Sequence, residues 1–261
     1  MADPPRFFVS TEALHQNPVL ISGESFHHLQ RVLRLPVGSR LLLLDGSGNR
    51  AWAKLEQIGK SQALACVVRR DTARETALPI TLMQGLPKGD KFDLILQKGT
   101  ELGITAFQPL TTRYSVPELP QQRLATRLAR WQKIVQEACR QCRRDLLPEV
   151  RAPLSLQAAI GQATQQGLKL MLWEAANQAL TEVLPKTPPQ QVVLLAGPEG
   201  GFALEEAELA REANFLPIHL GPRILRTETA GLAVAPVLQY LYGDWSNNPP
   251  ESVSPERGGF S

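Results

Sequence analysis

From residue 79 onward, short apolar runs alternate with longer segments in which apolar residues recur every three or four positions. The runs have the length of buried strands, and the longer segments have the periodicity of amphipathic helices. Their alternation predicts an α/β domain with a mostly parallel sheet. The predicted strands are Ile80–Gln84, Ile104–Leu110, Leu168–Trp173, Val192–Ala196 and Pro217–Leu220, and the predicted helices span residues 90–102, 121–144, 155–166, 203–214 and 227–242.

The preceding part of the chain has a different pattern and predicts a small β-rich domain. The apolar run Leu41–Leu44 ends at the turn signal Asp45–Gly48, and Ala51–Ile58 resumes as a strand, so we expect a hairpin here. Ser25–Leu35 carries helical spacing ahead of the hairpin. The charged stretch 69–76 separates the two patterns. It predicts domains at residues 1–72 and 73–246, followed by a polar, proline-rich tail at 247–261 that we expect to be disordered.

Composition limits the location and the chemistry of the protein. The N-terminus lacks a basic segment followed by an apolar one, and no apolar run reaches the roughly 18 residues of a membrane span. We therefore expect a cytoplasmic protein without a membrane partner. The 3 cysteines cannot form a disulfide framework. Cys139 and Cys142 form a single C-x-x-C pair without the further ligands of a zinc site, so no metal is expected.

The sharpest local motif is Val192–Phe202, in which a buried strand runs into a glycine-rich turn and then into a helix. Glycine permits close approach of the backbone to a ligand, and such turns often cradle phosphates. Here Pro198 removes an amide donor and Glu199 adds a negative charge. An uncharged adenosine with a cationic sulfonium therefore fits better than a pyrophosphate. Geometry alone leaves open an ordinary strand-to-helix turn without a ligand.

The second motif, Leu220–Ala230, also joins the end of a strand to a helix. That helix carries an apolar stripe, and Pro236 within it predicts a kink or a local adjustment. Arg223 and Arg226 are expected to project from the connecting loop beside the first glycine-rich turn. The alternative is a surface loop with two solvated arginines.

Two of the predicted helices have basic faces. Lys91 and Lys98 are seven residues apart in helix 90–102 and therefore lie on the same side. Helix 121–144 has an apolar stripe opposite a face rich in arginine, which suits the phosphates of a nucleic acid. The net charge is only +3, so this inference depends on clustering and not on the overall charge. Solvated basic faces without a ligand remain the alternative.

The chain resembles a known family, the ribosomal RNA small-subunit methyltransferase E enzymes, which methylate N3 of a uridine in 16S ribosomal RNA. The similar segments are HHLQRVLRL, LLLLDGSG, KGDKFDLILQKGTELGI, RWQKIVQEACRQCRR, GPEGGF and LGPRILRTETA. The family belongs to the SPOUT superfamily, so the resemblance implies a trefoil-knotted α/β domain preceded by a PUA-like β-barrel that binds RNA. It also implies S-adenosyl-L-methionine as cofactor, a homodimer with each pocket near the interface, and ribosomal RNA or the assembled 30S subunit as partner.

The reaction implied by the resemblance, together with the basic faces, suggests roles for individual residues. Arg226 is the candidate that stabilises charge developing on the uracil, and Glu199 is the candidate sulfonium neighbour or proton acceptor. The implied cofactor-binding residues are Leu172, Trp173, Glu174, Ala196, Gly197, Glu199, Gly200, Gly201, Leu220, Gly221, Ile224, Leu225, Thr229 and Ala230. The candidate RNA contacts are His28, Arg31, Arg34, Lys88, Lys91, Lys98, Arg113, Arg130 and Lys133.

Two other functions are compatible with parts of the sequence. A non-catalytic RNA-binding module or assembly factor is disfavoured by the intact GPEGGF and ILRTETA segments. A nucleotide-dependent oxidoreductase is disfavoured because the chain lacks the dinucleotide-binding fingerprint.

Overall fold

The computed structural model of the protein describes residues 3–73, 78–115, 121–163 and 167–245. The predicted disordered tail therefore lies outside the described residues. Contacts divide the chain into two compact units. The N-terminal unit comprises Met1–Glu75 and Gln132–Pro148, and the C-terminal unit comprises Thr76–Trp131 and Glu149–Ser261. The predicted division at residues 72–73 stays a prediction, and it did not anticipate the later segment of the N-terminal unit.

The N-terminal unit contains a five-stranded sheet in the order β1-β3-β4-β5-β2, in which only β1 and β3 are parallel. The predicted hairpin is confirmed, because β3 and β4 pair in the antiparallel direction. In the turn between them, the carboxylate of Asp45 accepts hydrogen bonds from the amides of Ser47 (2.8 Å) and Asn49 (3.2 Å). The strands are β1 (Arg6–Phe8), β2 (Val19–Ser22), β3 (Arg40–Leu44), β4 (Asn49–Ile58) and β5 (Gln62–Thr72), and the helices are α1 (Thr11–His15), α2 (Gly23–His27) and a π-helical turn, His28–Val32.

A buried ionic network explains why Gln132–Pro148 belongs to the N-terminal unit. Asp145 is buried, and its two carboxylate oxygens accept hydrogen bonds from Arg6 (2.5 Å) and Arg50 (3.0 Å). Arg50 also pairs with Asp71 at 2.6 Å. A buried carboxylate requires such compensation, so the network joins this segment to strands β1, β4 and β5.

The C-terminal unit contains a sheet in the order β12-β10-β11-β6-β7-β8, with β9 also paired to β7, and every pairing is parallel. The strands are β6 (Ile80–Gly85), β7 (Ala106–Thr111), β8 (Glu149–Val150), β9 (Leu154–Ser155), β10 (Leu168–Leu172), β11 (Val192–Ala196) and β12 (Leu216–Ile218). The helices are α3 (Lys91–Glu101), α4 (Gln121–Cys142), α5 (Leu156–Gln162), α6 (Leu180–Val183), α7 (Leu204–Glu212) and α8 (Thr227–Tyr242), and the second half of α4 belongs to the N-terminal unit.

The predicted α/β class is confirmed, and each predicted strand and helix of this unit is present with ends shifted by a few residues. The sequence pattern missed β8, β9 and α6, which are two to four residues long and too short to establish a period. The trefoil knot implied by the resemblance stays a prediction. No helix in the described part of the chain is both long and apolar enough to cross a membrane.

Helix α8 has two apolar faces. Gly231 lies against β6, where an added Cβ would come within 2.8 Å of the side chain of Leu82, so glycine permits the close packing. Val234 and Leu238 on the same side are buried. The opposite side leaves Val237, Tyr240, Leu241 and, just beyond the helix, Trp245 exposed. The apolar stripe seen in the sequence is therefore only half covered within one chain.

Candidate cofactor site and RNA-binding residues

The segments that the sequence singled out meet at one edge of the parallel sheet. Residues 173–174 follow β10, residues 197–201 follow β11 and residues 219–226 follow β12. These strands are neighbours or next neighbours and all run in the same direction, so their carboxyl ends lie at the same edge. Ligands of open parallel sheets bind at this edge. The structure thus brings most of the candidate cofactor-binding residues together.

The glycine-rich turn after β11 is built by close contacts between backbone segments. Gly201 has a φ of +68° and donates an amide hydrogen bond to the carbonyl of Pro198 at 3.0 Å. A Cβ on Gly197 would lie 3.1 Å from the backbone of Gly201, and a Cβ on Gly85 would lie 2.5 Å from the ring of Pro198. Only glycine fits at these contacts between the β6 and β11 ends.

The need for glycine at position 200 arises from a neighbouring residue that the sequence did not indicate. A Cβ added to Gly200 would lie 2.7 Å from Cβ of Tyr114, in the loop after β7. That loop is held in place by Glu206, whose carboxylate accepts hydrogen bonds from the amides of Arg113 (2.8 Å) and Ala203 (3.0 Å). The structural need for glycine at position 200 is therefore contact with this loop. Nothing in the local sequence around Tyr114 indicates that contact.

Glu199 joins the glycine-rich turn to the loop after β6. Its carboxylate accepts hydrogen bonds from the ammonium of Lys91 (2.6 Å) and from the amide of Lys88 (3.1 Å). Burial raises the pKa of Glu199, but these bonds and the amide of Glu199 itself outweigh it, so the pKa lies below its ordinary value. A carboxylate with a lowered pKa is a weaker base, which favours the role of cation neighbour for Glu199.

A buried glutamine bridges three segments of the site. Gln84, at the end of β6, is only 1% exposed, and its Nε2 donates to the Gly197 carbonyl (3.0 Å) and to the Thr227 hydroxyl (3.0 Å). The Thr227 hydroxyl in turn donates to the same carbonyl at 2.6 Å. Neither residue was predicted from the sequence to belong to the site, although a glutamine at the end of a mostly apolar strand was a visible signal.

Arg226 is the N-cap residue of helix α8, and its side chain extends into solvent. Its side chain is 84% exposed, and its guanidinium lies 3.9 Å from the carboxylate of Glu228. The other oxygen of Glu228 lies 3.9 Å from Lys91, so opposite charges alternate along the edge from Glu199 to Arg226. Ile224 in the same loop is 87% exposed. The cofactor-site candidates thus include buried residues, such as Leu172 and Ala196, and solvent-exposed ones.

Most candidate RNA contacts are engaged in ion pairs with acidic neighbours. Lys98 pairs with Glu101, Arg113 with Glu205, Arg130 with Asp90 and Asp93, and Lys133 with Glu24. Lys91 is the partner of Glu199. These ion pairs partly neutralise the positive charges. Most of the acidic partners are distant in sequence, so the pairing could not be inferred from the sequence.

The remaining RNA candidates differ from one another. Lys88, Arg31 and Arg34 are exposed. His28 is half-buried and packs edge-on against the ring of Phe7, with centroids 6.0 Å apart. Burial and the charge of Arg140 lower the pKa of His28, so it is a neutral packing residue near neutral pH.

The edge has the chemistry of a site for an uncharged or cationic ligand. The turn is closed by backbone contacts, carries the ionised Glu199 and is flanked by Glu174, whose carboxylate lies 3.5 Å from the Cβ position of Gly201. The carboxylate of Glu174 disfavours a pyrophosphate at the turn, whereas that of Glu199 is paired with Lys91. Within the described residues, no group of three or more histidine, cysteine or acidic side chains is arranged to hold a metal.

Comparison with known proteins agrees with this description. Residues 74–239 match the model of an RNA methyltransferase domain, and residues 21–66 match that of an RNA methyltransferase PUA domain. Ribosomal RNA small subunit methyltransferase E of Synechocystis is 39% identical over 86% of this chain and 74% of its own length. The Bacillus subtilis protein of the same name is 32% identical over 90% of this chain and 96% of its own length.

Two solved structures share the fold and contain a cofactor. A methyltransferase from Legionella pneumophila with bound SAM has a TM-score of 0.84 and 34% identity, covering 93% of this chain and 100% of that one. Ribosomal RNA small subunit methyltransferase E from Neisseria gonorrhoeae, bound to S-adenosyl methionine, has a TM-score of 0.84 and 36% identity. The match covers 94% of this chain and 100% of that one. Fold and site thus have the features of an RNA methyltransferase with a PUA domain. Within that class, the chain belongs to the ribosomal RNA small subunit methyltransferase E family.

Proposed function

We propose that this protein transfers a methyl group from S-adenosylmethionine to N3 of a uridine in 16S ribosomal RNA, in the cytoplasm and as a homodimer. The observation that carries the proposal is the glycine-rich turn after β11, which combines close backbone contacts with the ionised carboxylate of Glu199. A sulfonium cofactor with an uncharged adenosine suits this environment. The family relationship supports the same activity.

The residues of the chain have separate tasks in this reaction. Bound S-adenosylmethionine supplies an electrophilic methyl group. The backbone of residues 197–201 and 220–225 would hold the adenosine and methionine parts, and residues 172–174 would close the pocket. Glu199, fixed by Lys91 and the Lys88 amide, stabilises positive charge beside the turn. Positioning of this kind accounts for a large part of the rate enhancement in such transfers.

Arg226 acts on the base. Uridine N3 lies on the Watson–Crick edge and carries a proton, so the base must be unpaired or flipped out before it reacts. As N3 gives up that proton to solvent, negative charge spreads to the neighbouring oxygens of the ring. The exposed guanidinium of Arg226 donates hydrogen bonds to one of these oxygens and stabilises the charge.

The uncovered face of α8 supports the homodimer. Val237, Tyr240, Leu241 and Trp245 form an exposed apolar strip along this helix and its end. A contiguous apolar surface of this kind is typical of a protein interface. Pairing the strip with its counterpart in a second copy would remove this apolar surface, at the C-terminal end of α8, from water.

The test uses a bacterial strain that lacks its own methyltransferase E. Expression of this protein should restore 3-methyluridine in 16S ribosomal RNA, measured by mass spectrometry of nuclease digests, and expression of Arg226→Ala should not. Calorimetry should show binding of S-adenosylhomocysteine and no binding of NAD, which separates a methyltransferase from an oxidoreductase. Cofactor binding without any methylation of free RNA or 30S subunits would instead favour a non-catalytic assembly factor.

A further inference from the structure

Residues 31–40, from the end of the π-helical turn to the first residue of β3, combine exposed aliphatic and basic side chains. Val32 (59% exposed) and Leu33 (40% exposed) lie between the exposed Arg31 and Arg34, and Val37 (59% exposed) follows three residues after Arg34. We call residues 31–40 the aliphatic–basic loop. Single exposed aliphatic residues are common on protein surfaces, but three within six positions form an apolar patch of the kind that marks a binding surface.

The cations of this loop have no acidic partner in the described part of the chain. Arg40, at the end of the loop, faces Lys54 across the β3–β4 register, and both are exposed. Lys54 also lies beside the loop, with its Cε 3.9 Å from the Cβ position of Gly38. Among described residues, no carboxylate pairs with any of these four cations, whereas most of the other candidate RNA contacts are paired. Glu56 is exposed two residues after Lys54, and no ion pair joins the two within the described residues.

The exposure of the loop results from a fixed backbone. The amides of Leu33 and Leu35 donate to the carbonyls of His28 (3.0 Å) and Leu29 (3.2 Å), and Leu29 is fully buried. At the other end, the amide of Gly38 donates to the carbonyl of Leu55 at 2.7 Å. The loop is anchored to the core on both sides, so its aliphatic side chains are presented to solvent instead of folding inward.

We propose that the aliphatic–basic loop binds unpaired RNA, with its cations on phosphates and Val32, Leu33 and Val37 against the faces of unstacked bases. The proposal rests on the proposed function, since it takes RNA as the partner. Aliphatic side chains gain little from a paired duplex, whose base faces are stacked and whose major groove is too narrow for them. Unpaired nucleotides offer both phosphates and apolar faces. Membrane-binding segments instead present the long apolar face of an amphipathic helix, which a ten-residue loop does not provide.

The test separates the two kinds of contact by their dependence on salt. The probes are a 12-nucleotide single-stranded RNA of mixed sequence, a fully paired RNA of the same length and vesicles containing phosphatidylglycerol. Val32→Ser and Val37→Ser should each weaken binding of the single strand by about threefold to tenfold at every salt concentration, because each removes one or two methyl contacts. Arg31→Ala and Arg34→Ala should each lower the slope of log affinity against log salt by about 0.7.

Two control variants match these changes. Val68→Ser alters a valine of β5 that is also 59% exposed but lies outside the loop, and it should bind RNA as the wild type does. Lys133→Ala removes a cation that is already paired with Glu24, so its effect on the salt slope should be smaller than that of Arg31→Ala. Calorimetry with S-adenosylhomocysteine checks that every variant retains a folded C-terminal unit.

Several results would overturn the proposal. Loop variants that bind the single strand as the wild type does would refute the surface. An equal loss on single-stranded and paired RNA would refute contact with base faces. Vesicle binding that depends on Val32 and Val37, with RNA binding unaffected, would assign the loop to a membrane. A wild-type protein that binds neither RNA nor cofactor would refute the proposed function itself, whereas an active protein with indifferent loop variants refutes only this inference.

Discussion

The side-chain amide of Gln84 donates a hydrogen bond of 3.0 Å to the hydroxyl of Thr227, 143 positions later in the chain. Both groups also donate to the carbonyl of Gly197. The end of β6, the glycine-rich turn and the start of α8 therefore share one buried set of hydrogen bonds. Arg226, the N-cap residue, immediately precedes Thr227, so the same bonds also position its backbone.

Gln84→Met should weaken binding of S-adenosylhomocysteine about tenfold, since one or two buried hydrogen bonds are lost at the turn. Gln108→Met is the matched control. Gln108 is also buried in the sheet, and its amide donates to the carbonyls of Pro109 and Ala152, each at 2.9 Å, and not to the turn. Both variants should lower the melting temperature, but only Gln84→Met should change the affinity measured by calorimetry. Equal affinities would show that the bonds of Gln84 serve stability alone.

Glu199→Gln should reduce stability in a pH-dependent manner. The folded-state pKa of Glu199 lies below the ordinary value of 4.5, so the charged form stabilises the fold above that pH. The difference in unfolding free energy between wild type and variant should be constant near neutral pH and should shrink as pH falls below about 4.5 and through the folded-state pKa. Urea titrations at several pH values measure it. Glu205→Gln, at an exposed carboxylate, is the control, and an identical profile for both would contradict the role of the Lys91 pair.

Gly200→Ala should lower cofactor affinity by displacing the loop after β7. The added Cβ meets Cβ of Tyr114 at 2.7 Å, and the backbone of that loop is held by Glu206. Overpacking of this kind costs about 1–3 kcal/mol. Tyr114→Gly removes the opposing atom and should restore much of the affinity in the double variant. If the double variant binds no better than Gly200→Ala, position 200 acts through direct contact with the ligand.

Arg226→Ala should lower the single-turnover rate of methylation by about a hundredfold while changing RNA affinity little, because its contact strengthens as charge develops. Arg223→Ala, in the same exposed loop, is the matched control and should retain most of the rate. A normal rate for Arg226→Ala would remove it from the mechanism.

Tyr240→Lys should convert the protein to a monomer, because it introduces a charge into the exposed apolar strip of α8. Light scattering at micromolar concentration reports the mass. Leu204→Lys places the same charge at an exposed leucine at the start of α7 and should leave the dimer intact. A wild-type protein that is monomeric and fully active would exclude the proposed homodimer.

Sequence patterns predicted the parts of this protein that depend on local periodicity. The strands and helices of the C-terminal unit follow from apolar spacing, and the position of the site follows from glycines at the ends of parallel strands. The contacts of Tyr114 and Thr227 did not follow, because each depends on a partner from a distant loop or strand. The ionic network of Asp145 was missed for the same reason, and with it the membership of residues 132–148 in the N-terminal unit.

The basic residues show a further limit of sequence reasoning. The sequence predicted that the basic side of helix α4 binds phosphates. In the structure, Arg130 pairs with Asp90 and Asp93, and Lys133 pairs with Glu24. Charge that is visible in a sequence is not necessarily free in the folded chain. Arg31 and Arg34 remain unpaired among the described residues and therefore carry more of the expected attraction for RNA.

The position of β11 between β10 and β6 has a consequence for biosynthesis. Ile80 of β6 pairs with Val192 of β11, more than a hundred residues later, so the centre of the sheet stays open until most of the chain has left the ribosome. Pairings this distant form slowly. The glycine-rich turn follows that late strand, so a nascent chain cannot assemble the candidate cofactor site until near the end of its own translation.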